Sequence, residues 1–122
     1  VVLGSAGERL GAGRNRREET TDPTAHAEIV ALREAAKATG SWNLSGTTLV
    51  VTMEPCVMCA GAILQSRVTR VIFGAWDDKA GAAGSLYDVL RDRRLPYRAE
   101  VIGGVREGEA VALLQEFFAT RR

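Results

Sequence analysis

The chain has one histidine and two cysteines, and all three fall in two short stretches. The first is Thr24-Ala25-His26-Ala27-Glu28 and the second is Glu54-Pro55-Cys56-Val57-Met58-Cys59. If the three side chains share one cation, two segments far apart in sequence must be brought together, and that constrains the fold more than any other feature. A structural zinc site takes four protein ligands, whereas three nitrogen and sulfur donors suit a catalytic site whose fourth position goes to water. Glu28, two residues from the histidine, is then the natural proton carrier.

Taken singly, each part is weak. C-x-x-C spacing serves thiol redox chemistry, metal binding or neither. A lone histidine near a helix start is more often a capping or packing residue, and a first-turn glutamate usually complements the helix dipole. Pro55 predicts Cys56 in the first turn of a helix, with Cys59 three residues on along the same face. There, unpaired backbone N–H groups and the dipole stabilise thiolates, the form that binds zinc. His26 and Glu28 pose a difficulty, because residues two apart on a regular helix point to roughly opposite sides. Both reach one site only if it lies off the helix end.

A length of 122 residues predicts a single domain with one core. Net charge is +1, which excludes a global polycation, yet the basic residues are nearly all arginine and cluster. Arg14, Arg16 and Arg17, Arg91, Arg93 and Arg94, and Arg121 and Arg122 are candidate phosphate contacts, or simply solvated faces. No apolar run is long enough to span a membrane. Two cysteines alone argue against a disulfide scaffold, so a cytoplasmic location is expected. The chain opens at Val1 directly into an apolar stretch, and it reads as truncated there.

Residues 1–4 and 9–13 read as a hairpin, and 14–21 as a loop. Asp22-Pro23 announces a helix running to Lys37 or Ala38, with Ile29, Leu32 and Ala36 on its apolar face and Gly40 ending it. A β-branched strand follows at 47–52, a helix from Pro55, and a strand at 70–74. After an Ala/Gly loop over 75–85 come a short helix at 86–93, a strand at 100–103 and an amphipathic helix at 107–121, with Val111, Leu114 and Phe118 in one stripe. This order predicts a three-layer α/β/α fold, a mixed central sheet of about five strands with helices on both faces.

The conjunction is far more specific than its parts. H-A-E opening one helix, a strand, then P-C-x-x-C opening the next is the signature of zinc-dependent nucleobase and nucleoside deaminases. Residues 22–29, 54–62 and 73–85 resemble the bacterial tRNA-specific adenosine deaminases, a branch of the zinc-dependent cytidine/deoxycytidylate deaminase superfamily. The similarity runs from about Asn15 to the C-terminus. The shared motifs fix the class, and the Ala/Gly loop after Phe73 points to the tRNA branch.

The resemblance implies a cytidine-deaminase-like fold and hydrolytic deamination of adenosine to inosine at the wobble position of a tRNA anticodon. It implies one zinc per chain on His26, Cys56 and Cys59, with Glu28 as proton shuttle. Asn15 and the backbone N–H of Ala27 would contact the purine, and Asp77 would be the acid of a substrate loop; as an acceptor there, Asp77 is further expected to read a ribose 2′-hydroxyl. The implied partners are the anticodon stem-loop and a second copy of the chain in a homodimer. Two departures stand out. The family's N-terminal helix and the start of its first strand are absent, which would strip helix cover from one sheet face. Trp76 stands where some relatives carry a basic residue, so stacking would replace a phosphate contact. The residues also leave open a deaminase of free guanine, cytosine or cytidine, and a non-catalytic zinc or thiol-redox module.

Overall fold

The computed structural model describes residues 1–120. Strands β1 (Val2–Leu3) and β2 (Arg9–Gly11) form the expected antiparallel hairpin, turned at Gly7 with φ 81°. β1 also pairs antiparallel with β3 (Thr48–Met53), which runs parallel to β4 (Arg70–Ala75), itself parallel to β5 (Glu100–Ile102). The result is a mixed five-stranded sheet in the order β2-β1-β3-β4-β5. The helices are α1 (Arg17–Thr20), α2 (Ala27–Thr39), α3 (Val57–Gln65) and α4 (Glu107–Thr120).

Alternation along β3 and β4 sends Leu49, Val71 and Phe73 to one face, where they pack with Leu32 and Ala35 of α2 and Ile63 and Leu64 of α3. The opposite face carries Val50, Thr52, Ile72 and Gly74, and beside α4 it forms an open groove with Val105, Ala110 and Leu113. Glycines set how closely α2 approaches the hairpin. A Cβ at Gly11 would lie 2.6 Å from the Ala31 carbonyl oxygen, and one at Gly13 only 2.4 Å from that of Ala27. α2 therefore rests backbone to backbone on this edge, and its N-terminus is fixed by that contact. Gly40, at φ 70°, ends α2 by donating to the carbonyls of Ala36 and Lys37.

Four local expectations are corrected. Asp22-Pro23-Thr24 forms a turn rather than a helix start. The Asp22 carboxylate accepts from the Thr24 N–H at 2.9 Å and its hydroxyl at 2.7 Å, and the helix waits until Ala27. α3 begins at Val57, one residue after Cys56. Residues 86–93 are not helical, because Gly84 N–H donates to Tyr87 and Val89 N–H to Ala82, folding the segment back on the preceding loop and burying Leu90. Residues 17–20, expected as loop, make one short helical turn. The apolar stripe of α4 forms but is poorly covered: Val111 is 38% and Phe118 58% exposed. Among the described residues no helix is long and apolar enough to cross a membrane.

Candidate metal centre and active site

The two ligand-bearing stretches meet at two helix starts. His26 is the N-cap of α2 (φ −66°, ψ 158°) and Cys56 the N-cap of α3 (φ −77°, ψ 176°). Neither side chain caps its own helix, so both are free to point at each other. His26 Nδ1 lies 3.6 Å from Cys56 Sγ and 3.4 Å from Cys59 Sγ. All three donor atoms fall within 4.8 Å of one another. Zinc bonds of about 2.3 Å to sulfur and 2.0 Å to nitrogen, at tetrahedral angles, put such donors about 3.6 Å apart, so these residues fit zinc. The cysteines are free thiols. Burial pushes the Cys59 thiol up, and Glu28 and Cys56 act in the same sense. A cation held here must therefore displace a proton that the thiol otherwise keeps.

The caps also resolve the spacing problem. Because His26 has extended backbone and only Ala27 opens the helix, the helical rule for residues two apart does not apply. Glu28 sits in the first turn of α2, buried, with its carboxyl against the Cys59 thiol. The Ala27 N–H belongs to the first turn, whose N–H groups lack intrahelical acceptors.

Asn15 is exposed, and its carbonyl accepts from the Arg17 N–H at 3.1 Å. The Arg16 N–H donates to the Ala25 carbonyl at 2.9 Å, which lays this segment beside His26. Asp77 lies in the loop that follows β4. Its Oδ1 shapes a turn by accepting from Lys79 and Ala80 N–H groups at 3.1 and 3.2 Å. Trp76 meets Phe73 edge to face at 4.8 Å and fits against Gly84 and Gly103, so its ring is partly used in packing.

The arginine clusters are mostly paired. Arg14 and Arg16 both reach Glu19, and Arg91 reaches Asp88. Arg94 holds the Asp92 carboxyl down to about 2 through its guanidinium and backbone N–H. Arg121 and Arg122 lie outside the described residues.

One buried acid escaped the sequence reading. Glu54 is 3% exposed at the end of β3. Burial works against its charge, yet hydrogen bonds from Asp77, Ser85 and Ala83 hold its carboxyl below the usual range. An acid between an apolar strand and a proline was the available signal, since such a position is seldom solvated.

Residues 1–75 match the sequence model of the cytidine and deoxycytidylate deaminase zinc-binding region. The tRNA-specific adenosine deaminase of Bacillus subtilis is 46% identical over 122 residues, covering 100% of this chain and 76% of that protein. The tRNA(Ile)-lysidine synthase of Deinococcus radiodurans is 51% identical over the same 122 residues, which span only 21% of its length. A solved structure from work on A-to-I editing by tRNA deaminases at the wobble position superposes with a TM-score of 0.87 at 38% identity, over 92% of this chain and 80% of that one. With zinc-type donors converging beside a buried glutamate, the matched region and the full-length relative agree: the chain belongs to the zinc-binding cytidine and deoxycytidylate deaminase family, among the tRNA-specific adenosine deaminases.

Proposed function

We propose that this chain deaminates adenosine to inosine at the wobble position of a tRNA anticodon. The observation that carries the reading is the convergence of His26 Nδ1 and the Cys56 and Cys59 sulfurs within 4.8 Å. Two relatives named for tRNA support the choice of RNA over free bases.

His26, Cys56 and Cys59 are the residues that would hold zinc, and bound zinc makes a water nucleophilic near neutral pH. Glu28 takes the proton of that water and delivers it to the purine N1 as oxygen adds at C6. The same carboxyl then takes the proton of the new C6 hydroxyl and passes it to the departing amino group, which leaves as ammonia as the C6 carbonyl forms. Its place against Cys59 suits both transfers, and its burial keeps it from bulk solvent. The Ala27 N–H and the side-chain amide of Asn15 orient the purine. Asp77, whose second carboxylate oxygen is not used by its turn, accepts from a ribose 2′-hydroxyl. An anticodon loop offers a base that can be splayed into such a site at low cost.

The same reading takes residues 1–122 as one deaminase domain working in the cytoplasm as a homodimer. The apolar groove between α2 and α3, lined by Ile29, Leu32, Met58 and Ala62, supports a second copy docking beside the metal centre. The test is inosine formation by the zinc-loaded protein on an anticodon stem-loop, run beside free guanine, cytosine and cytidine. Conversion of the stem-loop adenosine is expected. Turnover of a free compound with the stem-loop untouched would sink the tRNA reading, and no turnover at all would favour a zinc or redox module.

A further inference from the structure

Among the described residues Glu54 is buried without a cationic partner, an arrangement that costs free energy unless hydrogen bonds replace the lost water. Its partners are instead three backbone N–H groups and one hydroxyl, all from residues 77–85. The Asp77 N–H donates to Oε1 at 2.9 Å, and the Ala83 and Ser85 N–H groups donate to Oε2, both at 3.0 Å. The Ser85 hydroxyl completes the set at Oε1. Four donors on one carboxylate are a charge-assisted clamp, which an amide side chain cannot reproduce because its NH2 would face donors. Sequence makes room for the clamp at Gly81, where a Cβ would lie 2.3 Å from Glu54 Cδ.

The other side of Glu54 is the metal turn. Its own N–H donates to the Ala75 carbonyl at 2.8 Å, the next residue's carbonyl accepts from Ala82 N–H at 2.8 Å, and Cys56 follows at once. The loop with Trp76 and Asp77 and the turn with Cys56 are thus joined through one side chain.

We propose that Glu54 is a positioning residue that holds the 77–85 loop in place against the metal turn, and that it acts on RNA binding rather than on the chemical step. This rests on the function proposed above. A contact that serves ground state and transition state alike changes KM and leaves kcat.

The test is Glu54→Gln in the zinc-loaded protein. We expect zinc content to hold, KM for the stem-loop to rise roughly tenfold or more, and kcat to stay within about threefold. Ser85→Ala removes one donor and should raise KM less. Combined with Glu54→Gln it should add nothing, because both changes break the same clamp. Amide exchange reads the loop without reference to activity: the Ala83 and Ser85 N–H groups should exchange faster in Glu54→Gln while α2 stays protected. If the wild type does not deaminate the stem-loop, the function proposed above fails and exchange still decides the loop clamp. Unchanged exchange, an unchanged KM, a fall in kcat alone, or zinc loss would overturn the proposal. If Glu54→Gln does not fold, Ser85→Ala decides it by the same readouts.

Discussion

Against one face of the sheet lie α2, α3 and residues 82–90, and there Val71 and Ile63 are fully buried. Against the other lies α4, where Leu113 and Phe118 stay 57% and 58% exposed. The metal centre belongs to the packed face, because both helices that present its ligands are docked there. Ligand atoms must hold their separation to within tenths of an ångström, and only a close-packed layer resists such shifts. The α4 face carries no ligand and tolerates its open groove. The difference separates what the site needs from what the sheet merely bears.

The strongest way to break this contrast is to remove a ligand. Cys59→Ala should abolish stoichiometric zinc, measured by metal analysis, and with it all deamination, while chelation of the wild type should do the same reversibly. The proton that burial keeps on Cys59 competes with the metal, so zinc should be lost more readily as pH falls. Next comes the packed core: Ile63→Ala leaves a cavity beneath α3 and should cost about 2–5 kcal/mol in denaturant unfolding. Gly11→Ala forces a Cβ onto the Ala31 carbonyl and should destabilise by about 1–3 kcal/mol, with weaker zinc retention because α2 carries His26. The smallest effect belongs to the open face. Phe118→Ser should change stability by no more than about 0.5 kcal/mol and leave zinc unchanged. A large loss there would show that the α4 face is as integral as the other.

Much of this organisation was legible in the sequence, for identifiable reasons. Strands β3 and β4 declare themselves through β-branched runs, and Gly40 marks the end of α2 by a conformation that favours glycine. The ligand trio was legible because the residue types are rare in this chain and their spacing is chemically restrictive. Helix starts were misread where side chains compete with the backbone. Asp22 satisfies Thr24 locally and delays α2, which is why His26 becomes a cap able to share a site with Glu28. The helix expected over residues 86–93 failed because hydrogen bonds to the preceding loop outcompete weak local propensity. The role of Glu54 was illegible since three of its four partners are backbone groups, which carry no sequence signal.

Glu28→Ala tests the central claim most directly, with zinc content and inosine formation on the stem-loop measured on the same sample. With the metal ligands intact and Glu28 as the proposed proton carrier removed, about one zinc per chain is expected, as in the wild type, with no detectable inosine. Wild-type turnover by the zinc-loaded variant would contradict it.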